Sequence, residues 1–238
     1  MDERDLRRLV RKLLEAAVVG QTAAGQGLAL LRKQKGNGIE YVLYDPKLLA
    51  KHVFDTGIKN GKGTPFDEIV SSFNSIEIIY GYLDVRSHNG DCWDAGEIKF
   101  SAAQKGYGPL MYELAMTDFG KIMSDHGAGT STSARSVWQK YDQRVDVKKF
   151  PFDDVKNPKT PPKTDDCKIL PDADGEIAYL NQAYAGKGDA SGKEVMMRAH
   201  QAFVGQMTAE GFKVADVELA LRMMGDEYFG RRYKSENM

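Results

Sequence analysis

The sequence predicts an α/β (α+β) fold, with strands through its middle and helices toward both ends, on three observations. Stretches 39–44 and 76–85 are dense in β-branched and aromatic residues, the composition of strands. Stretches 195–207 and 214–228 repeat apolar residues at helical spacing. The chain's 238 residues, 42% hydrophobic and 28% charged, have the balance of a soluble globular protein. Against domains of ~150 residues, this length is one large domain or a core with appendages. Such a chain buries roughly 70–75% of its unfolded surface and needs no covalent staples.

The first expected element is a helix. Leu6, Leu9, Val10, Leu13, Leu14 and Ala17 make an apolar stripe opposite Arg4, Arg7, Arg8, Arg11 and Lys12, with Asp2 or Asp5 as cap. Its apolar run, 13–19, is short and carries Glu15, which argues against a signal peptide. The stripe suits either docking on the chain's own core or service as a partner-binding and assembly arm. It lacks the Trp or Phe of a membrane-surface helix, and no run approaches the ~20 apolar residues of a span, so no membrane is expected.

Within 20–38, rich in Gly, Ala, Gln and Lys, the only apolar cluster is Ala29-Leu30-Leu31. Strand 39–44 closes at Asp45-Pro46, 57–65 reads as a Lys/Gly loop, 69–73 as a short helix or strand, and 88–91 as a turn. Strand 96–103 leads into the glycine-rich 104–109 and a helix from Leu110, with Pro109 where a first helical turn tolerates proline. Ile122-Met123 suits a short strand. Thr130, Ser131 or Thr132 caps a helix through Ala134, Val137, Trp138 and Tyr141. Five prolines and two Asp-Asp pairs between 151 and 171 describe an extended connector. Met196, Met197, Met207, Met223 and Met224 in the last helices are expected as core filler. The expected division is an arm over 1–35, an α/β core over 36–150, a connector over 151–190 and a helical extension over 191–238. The polar end, 230–238, should fray unless an assembly holds it.

Charge and ligand types narrow the chemistry. Thirty-three basic against 34 acidic residues leave a net charge of -1, which argues against a nucleic-acid partner. His52, His88, His126 and His200 have no i, i+4 pair among them, so no metal is expected. Cys92 and Cys167 are too few for a disulfide scaffold or a four-cysteine zinc site, and Cys92 reads as inert burial. Glu97 and Glu113 are cleft candidates or ordinary surface carboxylates. The segment 165–167 reads as a turn.

One constellation carries chemistry: strand, Gly106-Tyr107-Gly108, helix. Glycines let main-chain N–H groups approach an anion, and a helix N-terminus adds partial positive charge. Pro109 lacks an N–H, so a phosphate cradle draws on amides from Lys105 to Gly108 and from Leu110 onward, with the Lys105 ammonium beside them.

Residues from about 76 to 141, with Ala102-Ala103-Gln104-Lys105-Gly106-Tyr107-Gly108-Pro109-Leu110-Met111-Tyr112 at the centre, resemble the GCN5-related N-acetyltransferases. The resemblance implies a central mixed sheet flanked by helices. It also implies transfer of an acetyl group from acetyl-CoA to an amine. In that family the strand before the loop splays from a neighbour and acetyl-CoA lies in the gap. Here that places the pyrophosphate on Gln104, Lys105, Gly106, Tyr107 and Gly108. The pantetheine would run along the backbone of Ile98, Phe100 and Ser101, and the opening is expected at the strands ending near Leu83 and Ala103. The Lys59–Gly63 loop would reach the 3′-phosphate of CoA or remain solvated. The chemistry needs a base and an acid, for which His126 and Tyr141 are the candidates.

The chain departs from the family pattern at four places, one being that no Gly-Phe closely follows Trp138 as it does in the family. Ala103 stands where Gln or Arg is usual, Ser131 where Asn is usual, and Trp138 where the proton-donating Tyr is usual. The acceptor is left open among a small amine, a protein lysine and a nucleobase amine. Leu6-Arg7-Arg8-Leu9-Val10-Arg11 is also similar to a leader segment of marine tailed-phage proteins. This implies a phage-encoded protein in host cytoplasm or virion, with oligomer or virion contacts through the first helix. The alternative to an enzyme is then a non-catalytic virion assembly protein on the same scaffold.

Overall fold

The computed structural model describes residues 23–60, 66, 68, 77–87, 92–125, 130–170, 177–186, 188 and 190–236. The expected first helix, the 69–73 element, the 88–91 turn, His126 and the glycine end of the Lys59–Gly63 loop lie outside them.

Strands β1 (Ala29–Lys35) and β2 (Gly38–Tyr44) form a hairpin with Lys35 opposite Gly38. Gly36 supplies the positive φ of +58° that its two-residue turn requires. The apolar trio Ala29-Leu30-Leu31 is thus the start of a strand. Helix α1 (Pro46–Asn60) follows, where the sequence reading stopped at a strand end. The Asp45 carboxylate accepts the amides of Lys47 at 2.8 Å and Leu48 at 3.1 Å, and Pro46 opens the first turn. The helix runs into the expected Lys/Gly loop.

β3 (Ile79–Ser87), β4 (Gly96–Ala103), α2 (Gly108–Phe119), β5 (Ile122–Ser124) and α3 (Thr132–Gln143) fall where expected. Of the three candidate caps it is Ser131 whose side chain accepts the Ala134 amide. The expected connector holds most of the next strands: β6 (Lys148–Pro151), β7 (Asp153–Asp154), β8 (Asp166–Cys167) and β9 (Gln182–Ala185). Helices α4 (Ala190–Ala209) and α5 (Val214–Glu236) finish the described chain. The expected turn at 165–167 is the end of a 3-10 turn passing into β8.

The main sheet has seven strands in the order β1-β2-β3-β4-β5-β9-β6. Every pairing is antiparallel except β4 with β5. Side-chain alternation divides its core between two faces. Leu30, Tyr41, Leu43, Leu83, Val85 and Ile98 pack toward α2 and α3. Leu31, Val42, Tyr44 and Tyr82 pack on the opposite side, with α1 and α5. Helix α4 lies against edge strand β1, with Met196 in the first cluster and Phe203 and Met207 in the second, so it covers an edge that would otherwise invite pairing.

The sheet therefore runs across the divisions expected at 35 and 150, and the helices beyond 190 pack on it. β1 begins inside the presumed arm, and β9 inserts between β5 and β6 from the presumed connector. The final helices are cover for the sheet. A third buried cluster gathers Cys92, Met123, Phe152, Cys167 and Ala183. Cys92 and Cys167 form a disulfide with Cα atoms 5.1 Å apart, a pairing that nothing in their spacing announced. No described helix is long and apolar enough to cross a membrane.

Candidate functional site

β4 pairs with β3 along its whole length, Gly96 opposite Ser87 through to Ala103 opposite Gly81. With β5 it pairs only as Gly96–Ile122, Glu97–Met123 and Ile98–Ser124. Pairing between β4 and β5 thus stops at Ile98 and Ser124, while the strands ending near Leu83 and Ala103 stay paired. The physical reason is length: β5 has 3 residues and β4 has 8. Among the described residues, β4 from Lys99 to Ala103 is paired on the β3 side alone. At the point of parting a β-bulge sets Asp84 opposite Phe100 and Val85 opposite Ile98, leaving Lys99 as the extra residue.

Beyond Ala103 the chain makes a tight turn. The Gln104 amide donates to Tyr80 O at 2.9 Å, and the Tyr107 amide donates to Gln104 O at 3.0 Å. The Gln104 side chain donates to Ile79 O at 2.8 Å, so it anchors the loop to β3 and is not held out to a ligand. Tyr107 packs edge-on against Tyr80 and donates its hydroxyl to Gln26 at 2.7 Å. Gly106 takes φ +99°, a conformation L side chains rarely adopt. Among the described residues the amides of Lys105, Gly106, Gly108 and Leu110 donate to no main-chain carbonyl of the turns and loops. A Cβ placed on Gly106 or Gly108 would meet nothing within 4 Å. The Cβ directions of Gly106 and Gly108 thus point to open space at the start of α2, while the amides of Gln104 and Tyr107 serve the turn itself.

An aromatic cluster supports this turn from below. Tyr141 is 2% exposed and donates its hydroxyl to Pro109 O at 3.1 Å. Burial pushes that hydroxyl well above the ordinary tyrosine range. Trp138 stacks on Tyr184 with centroids 5.4 Å apart and meets Tyr112 edge-on. Ser101 hydrogen-bonds Tyr112, whose hydroxyl burial pushes up to about 12. The expected acid, Tyr141, is therefore a prop under α2 with its proton committed to Pro109. Ile98 points into the same core, and Phe100 points the other way against Tyr82. Glu113 is buried and ion-paired with Arg144 at 2.7 Å, so it is neither a surface carboxylate nor a cleft base.

Lys99, which sequence reasoning missed, stands where β4 and β5 part. Its Nζ lies 2.8 Å from Glu97 Oε2 and 3.0 Å from Asp125 Oδ1. Both carboxylates are buried, one on β4 and one just past β5. Burial pulls the Lys99 ammonium toward neutrality, but Glu97 and Asp125 outweigh it and hold the pKa above the ordinary lysine value. Glu97 is paired opposite Met123, which belongs to the disulfide-side cluster and not to the one under α2. The triad therefore faces away from the aromatic prop. A lysine within a strand carries no mark in sequence, and Asp125 is 26 positions away. The expected base, His126, follows Asp125 and lies outside the described residues.

Elsewhere, a groove of about 520 Å³ runs between β1, α4 and α5, with His200 and Glu218 among its lining residues. Among the described residues no three His, Cys, Asp or Glu side chains gather as metal ligands. No family model, curated protein or solved structure matches the chain.

Proposed function

We propose that this protein is an N-acyltransferase of the GCN5-related kind, taking an acetyl group from acetyl-CoA to an amine. One relationship carries the reading. Pairing of the two parallel strands, β4 and β5, stops after Ile98 and Ser124, and the longer one leads into a glycine turn at a helix N-terminus. That is a gap for an extended chain with an anion seat at its end. A diphosphate suits this place because a Cβ on Gly106 or Gly108 would meet nothing within 4 Å and a helix begins there.

The amides of Lys105, Gly106, Gly108 and Leu110 would hold the diphosphate, and the exposed Lys105 ammonium would add a full charge. The β4 main chain from Lys99 to Ala103, open on the β5 side, would pair with the pantetheine amides as a further strand would. The group held there supplies an activated acyl thioester. Glu97 and Asp125 lie where an incoming ammonium would need a carboxylate to release its proton.

The second reading, a non-catalytic virion assembly protein, draws on a different observation. Trp138, at the usual proton donor's place, is stacked in the core, and the hydroxyl of Tyr141 is taken by Pro109.

Calorimetric titration with CoA tests the first reading, and an absence of heat at millimolar ligand would remove it. Acetyl transfer to a panel of primary amines separates the two readings. CoA heat without transfer to any of them leaves the scaffold role.

A further inference from the structure

Lys99 is the extra residue of the bulge and marks the place where β4 leaves β5. Its side chain spans that opening, held by Glu97 from its own strand and Asp125 from the end of the other. From Lys99 to Gln104 the strand covers roughly 17 Å at ~3.3 Å per residue, a span suited to a pantetheine arm reaching from the glycine turn. An acyl group delivered along β4 would therefore arrive beside the Lys99 amine, with two carboxylates already in contact with it.

We infer that Lys99 is itself an acyl acceptor, so that the protein modifies its own β4 strand when loaded with an acyl thioester. The inference rests on the acyltransferase reading above. In the step, Asp125 or Glu97 takes a proton from the Lys99 ammonium, and the freed lone pair attacks the thioester carbonyl carbon. The C–N bond forms as the C–S bond breaks. The departing thiolate takes up the proton held by that carboxylate, and the attacking nitrogen gives its second proton to the other carboxylate and on to water, which leaves CoA as the free thiol, Lys99 as a neutral amide and one proton released. Acylation removes the cation that ties β4 to Asp125, so Glu97 and Asp125 lose their shared partner and the modified protein should melt at a lower temperature.

The test uses the full chain incubated with acetyl-CoA, with peptide mass mapping over time and CoA calorimetry on the same preparation. The expected result is an acetyl adduct on Lys99 forming at least ~100-fold faster than on exposed Lys105, the low end of general-base assistance. Lys99→Arg, which keeps the charge, should abolish that adduct. Asp125→Asn should slow it. Intact CoA binding with Lys99 unmodified, or modified no faster than Lys105, overturns the inference and leaves the acyltransferase reading standing. An absence of CoA heat overturns both.

Discussion

The Tyr141 hydroxyl donates to the Pro109 carbonyl, tying α3 to the first turn of α2. This bond makes Tyr141 a positioning residue for the glycine turn. Tyr141→Phe should cost about 1 kcal/mol of stability, the usual worth of one hydrogen bond. On the acyltransferase reading proposed above, CoA affinity should weaken a few-fold because the main chain at Gly108 loses its support. Turnover of the loaded protein should change far less than the ~10²–10⁴-fold of a lost general acid. A turnover loss of that size with unchanged CoA heat would return Tyr141 to the chemistry.

Gly106 separates a charge effect from backbone strain. Gly106→Ala meets no neighbour, so its penalty is the positive φ alone, about 1–2 kcal/mol. CoA binding should survive it. On the same reading, Gly106→Glu adds a carboxylate at the anion seat and should weaken CoA by at least ~10-fold, about 1.4 kcal/mol, beyond the alanine variant. Equal affinities for the two variants, measured by calorimetry, would mean that no anion sits at the turn.

Those two positions also show what local pattern conveys and what it does not. The run 96–103, Gly106, Pro109 and Ser131 are readable because strand composition, turn chemistry and capping act within a few residues. Asp45-Pro46 was ambiguous, since the same pair ends a strand and caps a helix, and α1 was lost to the first meaning. β6 and β9 have 4 residues each and take their place from packing, so no periodicity marks them. Lys99 with Asp125, and Cys92 with Cys167, are contacts that chain folding creates across 26 and 75 positions. No local rule reaches that far. The parting of β4 from β5 was hidden for the same reason, because it depends on how early β5 ends.

Asp118 joins α2 to three other elements: it accepts Arg32 of β1 at 3.0 Å, the Tyr41 hydroxyl of β2 at 2.5 Å and Lys193 of α4 at 2.6 Å. Burial pushes its carboxyl up, but Lys193, Tyr41 and Arg32 together hold it below its ordinary value of 3.8. The stabilisation is therefore complete above that value and is lost as pH falls through the lower folded one. Asp118→Asn should cost about 3 kcal/mol at pH 7 by leaving the cations without their charge partner. Urea unfolding of both proteins should show the gap shrinking below pH ~4. A gap that persists unchanged there would mean the residue acts by packing alone.

His200 works in a different pH window. It is 8% exposed, with Nδ1 2.9 Å from the Tyr44 hydroxyl. Burial lowers its pKa below 6.5, opposed by Glu218 and aided by Lys33. The unfolded chain then takes up the proton first. Stability from neutral His200 is full above 6.5 and declines as pH falls below it. His52, lowered to about 4 by burial, acts in the same direction. Melting temperature should drop between pH 7 and 5, and His200→Gln should flatten that drop while lowering stability at pH 7. An equally steep profile in the variant would place the titration elsewhere.

The Cys92–Cys167 bond closes a loop of 75 positions that contains β4, α2, β5 and α3. In the chain-entropy treatment a loop of that length restricts the unfolded ensemble by about 4 kcal/mol at 25 °C. Its sulfurs are buried beside Met123 and Phe152, so a dithiol should reduce it slowly in the folded protein and quickly in denaturant. Cys92→Ser with Cys167→Ser should melt well below the parent and should unfold at the same denaturant concentration with or without reductant. The parent should unfold earlier only when reduced. Two thiols titrating in the denatured, never-reduced parent would show that the bond does not form, and the two proteins should then be equally stable.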